Sequence, residues 1–391
     1  MRRILLLICV ILATMPLQAK GEGKGPLGLL KKVGTFLDSM AVSGVDRRYI
    51  GAPVKPWQVI LRGNVNQSDL KLNAQTQHAD KLFEFMTNDI TWEPRVKTAP
   101  ATYLGFWAGY RGYGFGYSWN VGGDDGRILT FGATGGSYGV NLRIHWFETD
   151  NPEVNFSGTA ATEMTADGSP IYEPFNYHDH IGIGSPIKTR SLLLDGYYLF
   201  NGKKCSYAAA YDQSVIQKRS AGSLMAGAMY FHSTTSYDND INADLILFMN
   251  DIGKFKSWQV SAGVGYIYNW VIAKHLLISA MAIPMLTFYN HHKMWRYDSN
   301  LKDMILESGI DNIYDMDEKD YKIRPSLNQP EKSENSKMKV NLDARLSVTY
   351  EWNERFYINA FGQFCSFRYK IDDVSGRLND WYINAAIGLR L

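Results

Sequence analysis

Residues 339–352 alternate without a miss between polar and apolar side chains. Lys339, Asn341, Asp343, Arg345, Ser347, Thr349 and Glu351 fall on one side of an extended chain, and Val340, Leu342, Ala344, Leu346, Val348, Tyr350 and Trp352 on the other. Successive side chains of a strand point to opposite faces, so this segment predicts one polar and one wholly apolar face over fourteen residues. The same period runs through Tyr138–Phe147, Trp258–Trp270 and Trp381–Leu391. Strands of globular domains average about five or six residues, whereas a tilted strand needs about 9–11 to cross a bilayer.

The aromatic residues indicate what the apolar face meets. Trp57, Trp146, Trp258, Trp270, Trp352 and Trp381 stand at or near the ends of these segments, on the apolar side. Membrane barrels place aromatic girdles at both interfaces in this way, whereas a soluble sandwich more often puts tryptophan mid-strand in its core. The polar side carries Arg143, Asp343 and Arg345, and a basic side chain turned to lipid at the midplane would cost about 2–4 kcal/mol. The polar faces should therefore line an interior. After the N-terminus no window holds the ~18 consecutive apolar residues of a spanning helix. The expected fold is all-β: a transmembrane antiparallel β-barrel with a short N-terminal helix.

Thirteen segments read as strands: 57–74, 101–110, 112–121, 127–134, 137–149, 187–200, 203–212, 220–233, 257–269, 274–290, 338–352, 354–369 and 379–391. Bacterial barrels normally have an even number, with short turns on one side and long loops on the other. Short and long connections alternate from either terminus except between residues 202 and 270. Adding Ala243–Met249 restores the alternation and gives fourteen strands. Twelve is the alternative, if the first segment or the weak ones in this stretch lie outside the wall.

Residues 1–19 read as a secretory signal peptide: Arg2 and Arg3, the apolar run Ile4–Leu12, then Pro16-Leu17-Gln18-Ala19 before the cut. Residues 20–56 form a periplasmic segment, with a short helix marked by Leu29, Leu30, Val33, Phe36, Leu37 and Met40. The barrel would occupy 57–391. The whole chain has 41 Lys plus Arg against 39 Asp plus Glu, a balance that argues against nucleic acid as a partner. With 20 % charged and 13 % aromatic residues, it is too apolar for a disordered chain. Cys205 and Cys365 stand in separate strand candidates, and their pairing is left open.

Asp46-Arg47-Arg48-Tyr49-Ile50, Lys55-Pro56-Trp57, Ser206-Tyr207-Ala208-Ala209-Ala210-Tyr211 and Gln217-Lys218-Arg219-Ser220-Ala221-Gly222-Ser223 carry a resemblance. The chain resembles an uncharacterised family of Bacteroidetes outer-membrane proteins, domain of unknown function 4421, from about Val45 to Leu391. The resemblance implies an outer-membrane β-barrel and carries over no activity or catalytic residue. The expected location is the outer membrane of a Gram-negative bacterium. The partners would be its lipid and, through the C-terminal strand, the barrel-insertion machinery.

Chemical constellations are sparse. His178 and His180 would share a face of a strand and are weak metal candidates, because nothing nearby completes a shell. His291-His292 is weaker still. Asp311, Asp315, Asp317, Glu318 and Asp320 lack the glycine and terminal glutamate of a calcium loop. His145 shares its face with Asn141 and Arg143, and Ser191 is the nearest hydroxyl for a catalytic pair. A polar-wall histidine is the better reading. Gly112-Tyr113-Gly114-Phe115-Gly116 alternates glycine with aromatics, which suits close packing and curvature of a strand better than a phosphate site. No cofactor or catalytic site is expected.

The lumen-lining residues predicted from the polar faces are Arg62, Arg143, His145, Asp343, Arg345, Tyr382 and Arg390. Four arginines against one aspartate would make an open pore anion-selective. The alternative is that the arginines pair with Asp195 or Glu351 and lock the lumen. Two functions are left standing: a channel or transporter for small solutes, or a structural or surface-interaction barrel whose working parts are its external loops.

Overall fold

The computed structural model describes residues 44–77, 89–97, 100–123, 125–149, 153–180, 186–237, 252–296, 298–299, 323–324, 332–335, 338–371 and 374–391. The leader at 1–19, the helix expected near 29–40, the strand expected at 243–249 and the acidic loop 311–320 lie outside the described residues.

Twelve strands close into a barrel: β1 (Trp57–Gln77), β2 (Ala101–Tyr110), β3 (Tyr113–Gly122), β4 (Gly126–Thr134), β5 (Tyr138–Thr149), β6 (Ile187–Leu199), β7 (Ala221–Tyr237), β8 (Ile252–Ala273), β9 (Leu276–Arg296), β10 (Lys339–Glu351), β11 (Phe356–Ile371) and β12 (Val374–Arg390). Each pairs antiparallel with its neighbours in sequence, and β12 returns to β1 through Gln58↔Arg390 to Asn73↔Ser375. The Leu391 amide on the Trp57 carbonyl, 2.9 Å, seals the seam.

The count is twelve and not fourteen. The segment 203–212 is not wall but carries a short helix, α1 (Tyr207–Tyr211). The local reason lies in its sequence. Ala208-Ala209-Ala210 has no period of two, alanine is the strongest helix former, and the Ser206 hydroxyl accepts the Ala209 N–H at 3.1 Å as an N-cap. Counting 200–220 as one connection leaves 111–112, 135–137, 200–220, 274–275 and 352–355 at the end that holds Trp57 and Leu391. The other end holds 78–100, 150–186, 238–251 and 297–338, together with the short 123–125 and 372–373. There the sheet continues past the wall, because Asp89–Lys97 pairs with the far part of β1, Glu153–Met164 with Asp89–Lys97, and Pro170–His180 with Glu153–Met164.

Strand β10 displays the environment on both faces. Asp343 and Ser347 are 0 % and 1 % exposed, whereas Val340 and Leu346 are 57 % and 54 % exposed. Polar residues inside and aliphatic residues outside reverse the order of a water-soluble domain, and the outer face is stable only in a bilayer. Trp57, Trp270, Trp352 and Trp381 all stand exposed on that outer face or beside it.

The interior is not uniformly polar. Leu193, Tyr197, Met225, Met229, Ile267, Met281, Ile283 and Met285 form an inward cluster on β6–β9. Across the lumen Phe231 of β7 stacks on Phe367 of β11, ring centroids 3.9 Å apart. Glycines of β3 allow other side chains to lie flat on the inner wall. A Cβ at Gly116 would meet the Arg62 Nη2 at 2.6 Å, and one at Gly114 the Trp107 ring at 2.4 Å. The segment Gly112–Gly116 is thus a packing surface.

Candidate functional site: a plug held in the lumen

The connection between β6 and β7 folds back into the barrel instead of turning outside it. Tyr207, Ala208, Ala209, Ala210 and Cys205 on this plug are buried. The N-terminal segment adds to it, for Ile50 and Gly51 pair with Gln217 and Ile216. The Gln217 side chain ties the plug to itself by donating to the Lys204 and Arg219 carbonyls at 2.6 and 2.8 Å, while its Oε1 accepts the Ser206 N–H at 3.0 Å.

Strands around the wall hold the plug through their inward side chains. The Asn269 amide (β8) donates to the Ser206 carbonyl at 2.9 Å, and the Ser347 hydroxyl (β10) to the Ala210 carbonyl at 2.6 Å. Gln58 (β1) and Arg390 (β12) both donate to the Gln213 carbonyl, at 2.8 and 3.1 Å. Thr134 (β4) donates to Asp212 Oδ2 at 3.0 Å. Burial pushes the Asp212 carboxyl above the usual range, against hydrogen bonds from Ser214 and Thr134 that lower it.

The centre of the assembly is Arg345, wholly enclosed. Its guanidinium meets Asp195 and Asp343 at 3.0 Å each and donates to the Tyr207 hydroxyl at 2.6 Å and the Tyr197 hydroxyl at 2.5 Å. It also lies over the Tyr197 ring, 4.8 Å from the centroid. Tyr197 in turn donates to Asp343, and Asn141 bridges Asp195 and the Tyr207 hydroxyl at 2.7 and 2.8 Å. Two carboxylates beside one guanidinium leave this cluster negative by formal charge. A cavity of about 150 Å³ adjoins it, bordered by Arg62, Arg143, Tyr211, Asp212 and Tyr382 among others.

The structure places each of the predicted lumen residues on the inner wall. Arg62 donates to Ser118 at 3.3 Å and Thr130 at 2.7 Å. Arg143 pairs with Asp380 and lies over the Tyr382 ring at 5.0 Å. Arg390 pairs with Glu351 at 2.9 Å and covers the Tyr357 ring at 4.7 Å. Most of the positive charge expected of an anion-selective lumen is therefore answered, because three of the four arginines face carboxylates and only Arg62 meets hydroxyls alone among the described residues. Glu351 is one of the two partners that the sequence offers, for it belongs to the perfect alternation of β10. Asp380 is a partner that sequence reasoning missed, although it stands two residues from Tyr382 on the same face. Asp195 is the other partner that the sequence offers, although Leu192, Leu193, Leu194, Tyr197 and Tyr198 make both faces of β6 apolar.

His145 is buried between two partners, with Nδ1 3.0 Å from the Asn66 amide and Nε2 2.9 Å from the Tyr103 hydroxyl. Both ring nitrogens are thus engaged, one by the amide and one by the hydroxyl, with donor and acceptor roles set by the tautomer. Ser191 stands opposite in register, but both ring nitrogens are engaged elsewhere. His178 and His180 lie exposed on Pro170–His180 with ring centroids 6.0 Å apart. Among the described residues no group of three His, Cys, Asp or Glu side chains converges as a metal site. Cys205 and Cys365 are both free thiols and buried, and burial pushes the Cys205 thiol up to about 12.

No curated relative matches the sequence. Among solved structures, the outer membrane protease OmpT from Escherichia coli is 8% identical at a TM-score of 0.36, covering 87% of this chain and 97% of its own. An outer membrane channel from Pseudomonas putida F1 is 10% identical at a TM-score of 0.30, over 87% of this chain and 97% of its own. The translocator domain of the autotransporter NalP from Neisseria meningitidis is 8% identical at 0.32, over 93% and 96%. At such values the likeness extends to neither activity nor substrate. A family model covers residues 66–390, which takes in every wall strand but the first part of β1, together with the plug. The chain belongs to the family described as Domain of unknown function (DUF4421).

Proposed function

We propose that this protein is a closed barrel of the outer membrane of a Gram-negative bacterium, exported by its leader and inserted through its C-terminal strand. In this reading the end of the wall that holds Trp57, Leu391 and the plug faces the periplasm, and the long connections face outward. Its working part is the external sheet that continues β1 through Pro170–His180, carried on a wall whose lumen is filled. The observation that carries this reading is the locking of Tyr207 to Arg345, with Asp195, Asp343, Tyr197 and Asn141 satisfied around the same two groups.

A passive pore needs a continuous water path, and the plug occupies that path at one end while Phe231 and Phe367 meet across the lumen further along. Transport of small solutes is the second reading. The cavity of about 150 Å³ beside Arg345 favours it, and it requires the plug to move. Planar-bilayer recording separates the two. The closed-barrel reading expects no steady conductance from the purified protein, and channel openings only after Arg345→Ala. Steady wild-type conductance would favour the channel.

A further inference from the structure

We propose that the outer face of β4–β9, at the loop end, is a docking surface for the phosphorylated headgroup of an outer-leaflet lipid. This rests on the outer-membrane orientation given above and is independent of whether the lumen conducts. The register places one outward residue of each strand in a single lateral row: Arg127↔Trp146↔Arg190↔Thr234↔Lys256↔Lys293. Neighbouring strands lie about 4.8 Å apart, so the row is about 24 Å wide, enough to meet more than one phosphate.

On β4, β6, β8 and β9 the cations of this row stand where the apolar stretch ends. Two residues nearer the membrane, the same register gives Leu129↔Ile144↔Leu192↔His232↔Trp258↔His291. The cations lie along aromatic platforms. Trp146 carries Arg127 at 5.1 Å and Arg190 at 5.4 Å, Trp295 carries Lys254 at 5.3 Å and Lys256 at 5.2 Å, and Trp258 carries Lys293 at 5.9 Å. Apolar stems and aromatic rings at the interface with charged heads beyond them are the arrangement of side chains reaching for headgroups.

Among the described residues none of these five cations forms an ion pair with a carboxylate of the chain, and Lys256 stands directly opposite Lys293. Like charges opposed across strands destabilise a sheet. Among the described residues the row and its neighbours carry more cations than carboxylates, for Arg127, Lys188, Arg190, Lys254 and Lys256 share their groove with Asp125 and Glu148 only. This groove of about 800 Å³ runs over the row, bordered by these cations and, at one side, by the Asp125 and Glu148 carboxylates. A lipid phosphate satisfies these conditions, because its acyl chains would lie on the apolar rows below while the phosphate meets the cations.

The test uses the full chain in phosphatidylcholine nanodiscs doped with lipid A, either phosphorylated or enzymatically dephosphorylated, and native mass spectrometry of the lipid retained. The wild type should retain the phosphorylated form in preference. Each cation removed should weaken this by roughly fivefold, so Arg190→Gln with Lys256→Gln should abolish most of it. Lys274→Gln with Arg355→Gln, both in connections at the opposite end of the wall, should leave it unchanged. Equal retention of both lipid forms, an equal loss in the control pair, or complete displacement by excess inorganic phosphate overturns the proposal. Heat-modifiability on a gel confirms that each variant is a folded barrel, and cell fractionation tests the outer-membrane reading separately.

Discussion

Cations on the two faces of this wall are treated differently. Inside, Arg143, Arg345 and Arg390 each meet a carboxylate, and Arg62 meets two hydroxyls. Outside at the loop end, Arg127, Arg190, Lys256 and Lys293 meet tryptophan rings and no carboxylate among the described residues. The difference follows from water. A charge enclosed in the lumen has lost its hydration and must recover it from fixed partners. A charge at the rim keeps its hydration or takes an external anion, so the chain needs to supply only a surface for its stem.

The comparison breaks most severely at Arg345. Arg345→Ala leaves Asp195 and Asp343 enclosed without their cation, and removing one member of a buried pair costs about 3–5 kcal/mol. The expected outcome is a large fall in the urea midpoint of the barrel in detergent, with Cys205 becoming reactive to maleimide as the plug loosens. A midpoint within error of wild type, with Cys205 still protected, would show that the network does not hold the plug.

Tyr207→Phe is gentler. It keeps the ring but removes the acceptor of Arg345 Nη1 and Asn141 Nδ2, which should cost about 1–3 kcal/mol by the same measurement. A loss equal to that of Arg345→Ala would mean that the hydroxyl, and not the charge, is the centre of the lock.

Asp212 sharpens the comparison in the opposite direction, since it is an interior acid without a cation partner among the described residues. Its raised pKa means the neutral form is favoured in the folded protein. That contribution is complete at acid pH, below the unfolded value, and is lost as pH rises through the folded value. Asp212→Asn should therefore raise the urea midpoint slightly at neutral pH, and the difference from wild type should vanish in acid. A lower midpoint for the variant at neutral pH contradicts this.

At the rim the smallest effect is expected. Arg190→Gln should change stability by no more than about 0.5 kcal/mol, because its removal strips no enclosed partner. A loss comparable to that at Tyr207 would place Arg190 in a structural role.

The period of two made the wall legible strand by strand. β10 and β12 announce both faces, and all twelve wall strands were among the candidate segments. The plug was not legible as a plug. Ser206–Tyr211 is too short to show a helical period, and its tyrosines and alanines resemble another apolar strand. Parity located the fault between residues 202 and 270 but suggested an added strand, because a connection folded back into the lumen is long on the side where turns are short. The same limit applies to the arginines. Arg345 and Glu351 share one visible face, but Arg345 finds Asp195 on a strand far away in sequence, and Arg143 finds Asp380.

The sequence by itself determined the architecture: the strands, which face meets lipid, and the collar of tryptophans. Each of these is a local property, because alternation records the two media on either side of one strand. Only the tertiary structure decided that twelve strands close, that 200–220 folds into one end of the lumen, and which carboxylate answers which arginine. Those are set by the diameter and stagger of the closed barrel, which bring distant strands face to face across the interior. No stretch of sequence carries that distance.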